Sequence, residues 1–226
     1  MQVSTNMNKV LRAIAVLAAM TAGSVTHATV TSYSTWGAYN AATSSNTTID
    51  FEAQQTSGGS GGATYYGSSL TVGGVTFTDN ADRLFVLSAG YYGDPFTSNY
   101  LNNNAVGSQI NVNFVNPVYG FAMDLGTIYN WGGGPLQLTF NFAGSSETIN
   151  LPGVLNNHGA PLSFSGFTSD SAFSSISISD PTNGLAIDNF TFASAAPVPE
   201  PETYAMLLAG LGLIGAIARR HKATQA

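Results

Sequence analysis

The chain has 226 residues, a formal net charge of −6 and only 8% charged residues, and it contains no cysteine. The lack of cysteine excludes disulfide bonds, thiolate metal ligands and thiol nucleophiles. Arg83 stands alone between basic residues that lie near the two ends of the chain. The middle of the chain therefore cannot neutralise a row of phosphates, and nucleic-acid binding is excluded.

Residues 1–28 have the three parts of a secretory signal peptide. Lys9 and Arg12 supply the positive charge, and residues 13–20 (AIAVLAAM) form a short apolar segment. Small residues at Thr26 and Ala28 then suit a signal peptidase. We expect cleavage after Ala28 and export of the rest of the chain, the alternative being an ordinary N-terminal helix.

From residue 29 to residue 193, polar and apolar residues alternate with a period of two between turn residues, which is typical of β-strands. The pattern is clearest at 109–114 and 136–142. Residues 144–146 predict a turn into a strand at 147–151, and Gly73-Gly74 predicts a hairpin within 70–78. The other predicted elements are strands at 47–52, 84–88, 118–125, 173–179 and 185–192, and a short helix within 33–42. About ten short strands favour an all-β domain, an antiparallel jelly-roll-like β-sandwich over residues 29–193.

The last predicted strand changes phase in its middle. Leu185 and Ile187 alternate in one phase, whereas Phe190 and Phe192 alternate in the other. This change predicts a β-bulge at Asp188-Asn189, an irregularity that re-aims side chains.

Asp50 and Glu52 are the other candidate carboxylates. They occupy positions i and i+2 of the strand predicted at 47–52, so they share one face with their Cα atoms about 6.6 Å apart. If the first and last strands pair, Asp50, Glu52 and Asp188 come together with backbone carbonyl groups. Such oxygen ligands suit Ca²⁺, and the sequence predicts a structural calcium site there. The alternative is that these acids face solvent or accept hydrogen bonds from backbone amides in turns.

The segments 48–52 (TIDFE) and 184–190 (GLAIDNF) resemble the paired terminal strands of jelly-roll modules. Lectin-like and carbohydrate-binding domains are among these modules. The resemblance implies the fold, and it adds to the calcium prediction because carbohydrate-binding jelly rolls often carry a structural calcium ion.

Aromatic residues in segments rich in Gly, Asn, Asp and Pro are the candidates for glycan contact, because aromatic rings stack on sugar faces. The segment Tyr129-Asn130-Trp131, followed by three glycines, is the best of them, and Tyr91-Tyr92 is the second. The other aromatic candidates are Tyr65, Tyr66, Phe96 and Tyr100. The alternative is that these rings cap the ends of the hydrophobic core.

Catalytic motifs give little support for an enzyme. The G-x-S-x-G match at 58–62 lacks the strand and helix that such a motif needs on its two sides. His158 lies among turn residues, as a solvated loop residue does. We therefore expect no catalytic site, although a glycan hydrolase with two carboxylates has no sequence motif and remains an alternative.

The C-terminal end has a fixed order of parts. A stalk over 194–202, rich in Ala and Pro, contains Val198-Pro199-Glu200-Pro201. The apolar segment 203–218 comes next, which as a helix is about 24 Å long. The basic tail 219–226 begins with Arg219-Arg220. This order predicts a transmembrane helix with a cytoplasmic tail, and it places the domain outside the inner membrane.

The same order resembles the PEP-CTERM sorting signal, also called the ice-binding-protein C-terminal domain. The resemblance implies that an exosortase cuts near Pro199-Glu200-Pro201 after signal-peptidase cleavage. It also implies transient anchoring in the inner membrane, then a place at the cell surface or outside the cell. PEP-CTERM proteins accompany exopolysaccharide and biofilm matrix, so we expect a non-catalytic protein that contacts exopolysaccharide.

The alternative to a sorting signal is a plain C-terminal anchor. Two alternatives to the function stay open: a secreted glycan hydrolase, and a structural matrix protein that binds another protein. Ice binding would need a regular Thr ladder, and none is visible along the sequence.

Overall fold

The computed structural model describes residues 28–54, 62–91, 96–127, 136–151, 162–181, 184–197 and 208–211. The predicted signal peptide up to residue 27, Tyr92, the segment 129–131, the sorting residues 198–201 and the basic tail lie outside the described residues. No helix in the described ranges is long and apolar enough to cross a membrane.

The described residues form twelve strands in one antiparallel sheet, with one short α-helix near the start. The elements are β1 (Val30–Tyr33), α1 (Trp36–Ala42), β2 (Asn46–Ile49), a 3-10 turn (Glu52–Gln54), β3 (Ala63–Gly67), β4 (Ser69–Val72), β5 (Val75–Asp79), β6 (Leu84–Leu87), β7 (Tyr100–Asn102), β8 (Gln109–Thr127), β9 (Leu136–Phe142), β10 (Ser145–Leu151), β11 (Ser163–Ser179) and β12 (Leu185–Ala193).

Two long strands, β8 and β11, belong to both layers of the domain. Residues 109–113 of β8 pair with 175–179 of β11, and residues 120–125 pair with 163–168, with register shifts between the two stretches. The interruption in β8 contains Pro117, which has no N–H group to donate to a sheet ladder. One layer therefore runs β4-β5-β8-β11-β9-β10. The other layer runs β1-β11-β8-β12, and β12 pairs along its other edge with β2 and with β7, which continues through β6 to β3.

Phenylalanine rings fill the space between the layers. Phe121 of β8 is fully buried, and its ring centroid lies 5.4 Å from that of Phe167 and 5.6 Å from that of Phe140. Phe173 and Phe190 lie 6.0 and 6.1 Å from the same ring. Since these rings come from strands of both layers, the domain is all-β as predicted, in an arrangement consistent with a sandwich.

Local patterns predicted several elements correctly. The strand 136–142 coincides with β9, and β4 and β5 form the predicted hairpin, with Gly73 and Gly74 at positive φ values of 59° and 83°. The next hairpin turns at residues 143–144, and β10 begins two residues before the predicted strand, because Ser145 already pairs with Phe142. The segments 109–114 and 118–125 are parts of one strand, β8.

On the outer face of the layer β4-β5-β8-β11-β9-β10, two rows of paired residues run across the strands, and neither row contains a charged residue. The six positions of one row are Thr148, Thr139, Ser177, Asn111, Thr78 and Ser69. The second row is Ser146, Asn141, Ser175, Asn113, Thr76 and Thr71. Neighbours bond laterally, as in Thr139 with Thr148 (2.9 Å) and Ser177 with Asn111 (2.7 Å). In these two rows, the polar groups that the face presents to solvent are thus hydroxyls and amides, and none is charged. The rows cross strands that are distant in sequence, so they cannot be seen along the chain.

We predict that Phe121→Ala lowers the free energy of unfolding by about 3–5 kcal/mol, because it leaves a cavity among four phenylalanine rings. Thr139→Ala is the control on the solvated face, with an expected loss of about 0.5 kcal/mol. Urea unfolding followed by circular dichroism measures both. Equal losses would contradict a core centred on Phe121.

Candidate functional site

A pocket of about 320 Å³ lies where α1, β8, β12 and the loop before β7 meet. We call it the Trp36 pocket. It is lined by Trp36, Phe96, Thr97, Ser98, Asp124, Leu162, Asp188 and Asn189.

The register of β12 on β8 brings two carboxylates together. The Cα atom of Asp188 is the direct partner of the Cα atom of Asp124, and the register shifts immediately afterwards, between Asp188 and Thr191. Asn189 adopts a left-handed φ of 50°, a conformation that Asn tolerates better than most residues. The predicted bulge at Asp188-Asn189 is therefore confirmed. It places the Asn189 amide where Nδ2 donates to Oδ2 of Asp124 at 2.8 Å.

Asp188 is a buried carboxylate, with 2% of its surface exposed. Its Oδ1 accepts a hydrogen bond from the Asn189 backbone N–H (2.6 Å), and its Oδ2 accepts one from the Ser98 hydroxyl. Burial raises the pKa of Asp188 to about 6, and the nearby charges of Asp124 and Glu52 push the pKa in the same direction against these hydrogen bonds. The pocket thus contains an acid that titrates near the neutral range.

Trp36 forms the aromatic wall of the pocket. It opens α1 directly after the N-cap Thr35 and is half-buried. The indole ring packs against Phe164 (4.8 Å between centroids) and Tyr39 (6.4 Å). Its Nε1–H donates to Oδ1 of Asp124 at 3.1 Å, so the ring is fixed in place on two sides.

Sequence reasoning missed Trp36 and Asp124 because they are 88 residues apart. They meet because β1, which precedes α1, pairs with β11, and β11 pairs with β8. One signal was present. Asp124 interrupts an otherwise apolar stretch, GFAMDLG at 120–126, and a charge in a buried strand often has a function.

The predicted aromatic candidates divide among different roles. Phe96 lines the Trp36 pocket and packs edge-on against the fully buried Tyr100, with 4.7 Å between centroids. Tyr65 and Tyr66 lie on β3, where their hydroxyls donate to backbone carbonyls. Tyr91 lies in a turn, 36% exposed and not in the pocket wall. Tyr92, Tyr129, Asn130 and Trp131 lie outside the described residues.

The prediction that Asp50 and Glu52 share one strand face is wrong. β2 does pair with β12, through Ile49 opposite Phe190, but the strand ends at Ile49. Phe51 turns into the core with a φ of 57° and no exposed surface. The Asp50 carboxylate then accepts a hydrogen bond from the Glu52 N–H at 3.2 Å. The left-handed backbone at Phe51 thus ends the extended conformation that the spacing argument required.

Glu52 instead holds the loop before β7. Its Oε1 accepts from the backbone N–H of Asn99 (2.9 Å), and its Oε2 accepts from Nδ2 of the same residue (2.7 Å). Within the described ranges, no three His, Cys, Asp or Glu side chains are grouped so that they could hold a metal ion. A calcium ion at Asp50, Glu52 and Asp188 stays a prediction.

Comparison with known proteins confirms the predicted sorting signal. A family model described as the PEP-CTERM protein-sorting motif matches residues 197–222. A search of the curated proteins finds no match.

Three solved structures are similar to the domain at low identity. The K2 cleaved adhesin domain of Lys-gingipain is 13% identical, with 66% of this chain and 99% of that chain covered and a TM-score of 0.43. A CBM29-2 mutant complexed with mannohexaose is 8% identical, with 59% and 91% covered and a TM-score of 0.36. A family 6 carbohydrate-binding module is 14% identical, with 52% and 87% covered and a TM-score of 0.33.

We predict that Asp188 makes the free energy of unfolding fall as the pH rises from about 4 to about 6. The folded protein keeps the Asp188 proton up to a pH of about 6, whereas an unfolded chain releases it near the ordinary pKa of 3.8. The unfolded state therefore binds fewer protons in this window, and stability decreases on the order of 2 kcal/mol across it. Urea unfolding at a series of pH values measures the slope.

Asp188→Asn is the matched control, because an amide does not titrate in this range. In this variant, the slope of the unfolding free energy against pH between about pH 4 and pH 6 should lose the negative contribution of Asp188 and become more positive. Identical slopes in the two proteins would show that the carboxylate titrates normally and is not buried as described.

Proposed function

We propose that this chain is an exported protein, sorted through its PEP-CTERM motif, whose all-β domain binds a glycan in the Trp36 pocket without cleaving it. The sorting motif supports processing of this chain by an exosortase and its delivery to the cell surface. The single observation that carries the binding function is a fixed tryptophan ring beside two carboxylates and an amide in one pocket.

The chemistry of the pocket suits a sugar. A sugar ring has an apolar face, which packs on an aromatic ring, and hydroxyl groups around its edge, which need hydrogen-bond acceptors and donors. Trp36 and Phe96 supply the aromatic surface, and Asp124, Asn189 and Ser98 supply polar atoms. At about 320 Å³, the pocket is at the small end of the ~300–1,000 Å³ range of ligand sites, which favours one sugar unit over a long chain segment.

The walls of the pocket are held before any ligand arrives. Asp124 accepts from both the Trp36 indole and the Asn189 amide, and Asp188 accepts from Ser98. Glu52 fixes the adjoining loop through two hydrogen bonds to Asn99. Ordering side chains on binding costs about 0.5–1.5 kcal/mol each, so walls that are already ordered favour affinity.

Processing at both ends of the chain is part of the proposed function. Signal peptidase removes residues 1–28, and the segment 203–218 holds the chain in the inner membrane until the exosortase acts near Pro199-Glu200-Pro201. The domain 29–193, as a jelly-roll-like sandwich, then meets exopolysaccharide or biofilm matrix at the cell surface or outside the cell.

A glycan hydrolase is the second candidate, because Asp124 and Asp188 oppose each other in one pocket. An acid whose pKa is raised to about 6 resembles the general acid of such enzymes. Binding is favoured over hydrolysis because Asp124, the carboxylate that would have to act as nucleophile or base, already accepts a hydrogen bond on each of its two oxygens.

We predict that Trp36→Ala weakens binding of the full chain to the producing cell's exopolysaccharide at least about tenfold, as removal of an aromatic anchor from a binding site does. Isothermal titration calorimetry measures the affinity, and a thermal melt checks the fold. Asn189→Gly is a second variant, because glycine accepts the left-handed φ while the amide is lost. It too should weaken binding with little change in melting temperature.

Trp131→Ala is the matched control, since it removes the other tryptophan of the chain. Lost binding in this variant together with full binding by Trp36→Ala would move the site to the segment 129–131. New reducing ends from the exopolysaccharide, abolished by Asp124→Asn, would favour the hydrolase.

A further inference from the structure

The two carboxylates of the Trp36 pocket have no cationic partner in the described part of the chain. Among those residues, every group that bonds to Asp124 or Asp188 is neutral: an indole N–H, a side-chain amide, a hydroxyl and a backbone N–H. The one basic side chain in the described ranges is Arg83, and its guanidinium donates to the backbone carbonyl of Asn104 at 3.4 Å. Glu52 adds a third negative charge close to Asp188.

Such an arrangement is electrostatically unfavourable when the pocket is without a cation. Asp124 and Asp188 are direct partners on neighbouring strands, where Cβ atoms lie about 4.5–5.5 Å apart and like charges are destabilising. A buried carboxylate without a countercharge is costly as well. A cation bound between the two side chains would offset both effects.

The other walls of the pocket decide which kind of cation fits. Ca²⁺ requires about 6–8 oxygen ligands, whereas Trp36, Phe96 and Leu162 line this pocket with rings and an aliphatic chain. Aromatic rings beside carboxylates instead suit an organic ammonium group, which is attracted to the ring faces and bonds to the acids.

We propose that the Trp36 pocket recognises an amino sugar, with its free ammonium group between Asp124 and Asp188 and its apolar face on Trp36 and Phe96. This specificity rests on the glycan-binding function proposed above and narrows it to one substrate class. Sugars that carry carboxylate or sulfate groups are excluded, because they would add negative charge beside two acids.

Three oligosaccharides of equal length test this specificity with the full chain. Glucosamine hexamers carry ammonium groups, N-acetylglucosamine hexamers are neutral, and galacturonate hexamers are anionic. By calorimetry at about pH 7, where Asp188 is ionised, we expect the glucosamine hexamer to bind at least about tenfold more tightly than the neutral one, as charge-assisted contacts allow. We expect the galacturonate hexamer not to bind.

Asp188→Asn and Asp124→Asn should each remove most of this preference. Glu147→Gln is the matched control, because it changes the net charge equally but lies on β10, outside the pocket wall. It should keep the preference.

Ligand binding should also depend on pH through Asp188. The ionisable groups near its carboxylate are Asp124 on β8 and Glu52 in the 3-10 turn. A trimethylammonium derivative of the glucosamine hexamer has a charge that does not titrate, so any pH dependence comes from the protein. The affinity of the protein for this derivative should rise as the pH increases through about 6, because Asp188 then ionises. Asp188→Asn should flatten this dependence of affinity on pH.

The outcomes separate this inference from the function on which it rests. Equal affinity for the glucosamine and N-acetylglucosamine hexamers would overturn the amino-sugar site and leave glycan binding intact. Equal weakening by Glu147→Gln and Asp188→Asn would also overturn it, since the attraction would then come from net charge alone. Tight Ca²⁺ binding that needs both carboxylates, with no glucosamine binding, would replace it with a metal site. Failure to bind these hexamers and the exopolysaccharide would overturn both proposals.

Discussion

The pairing of β8 with β11 over both of their halves is the constraint on which the rest of the molecule depends. The two strands leave register between their paired stretches, so each contributes to both layers. That crossing places Phe121 among rings from both layers and leaves the edge of 120–127 free to pair with β12. The pairing of β12 with β8 then places Asp124 directly opposite Asp188. The position of the pocket is thus a consequence of the same pairing that builds the core.

Several unfavourable features of the fold lie at the pocket. Asn189 has a left-handed backbone, Asp188 is a buried acid, and the ladder between β12 and β8 changes register between Asp188 and Thr191. Each feature costs free energy, and the phenylalanine core offsets these costs. Irregularities of this kind cluster at binding sites in natural proteins, and here they hold the amide and the carboxylates around Trp36 without any help from a ligand.

Local patterns in the sequence predicted those elements whose geometry depends only on residues that are neighbours along the chain. Alternation predicted β9, paired glycines predicted the β4–β5 hairpin, and a change of phase predicted the bulge at Asp188-Asn189. The continuity of β8 was missed because Pro117 breaks the local pattern, and the side chains that meet across β8, β12 and α1 have no signature along the chain. Asp50 and Glu52 failed as a pair because the strand ends at Ile49 and the backbone turns at Phe51, where φ is 57°, and nothing in the local alternation predicts that turn.

The indole N–H resonances of the full chain give the most direct test of the pocket, because the chain has only two tryptophans and Trp131→Phe assigns the pair. The account predicts that exopolysaccharide shifts the Trp36 signal in a saturable way, since Nε1–H bonds to Asp124 inside the pocket, and leaves the Trp131 signal in place. A Trp36 signal that does not move while the polysaccharide binds would contradict the account.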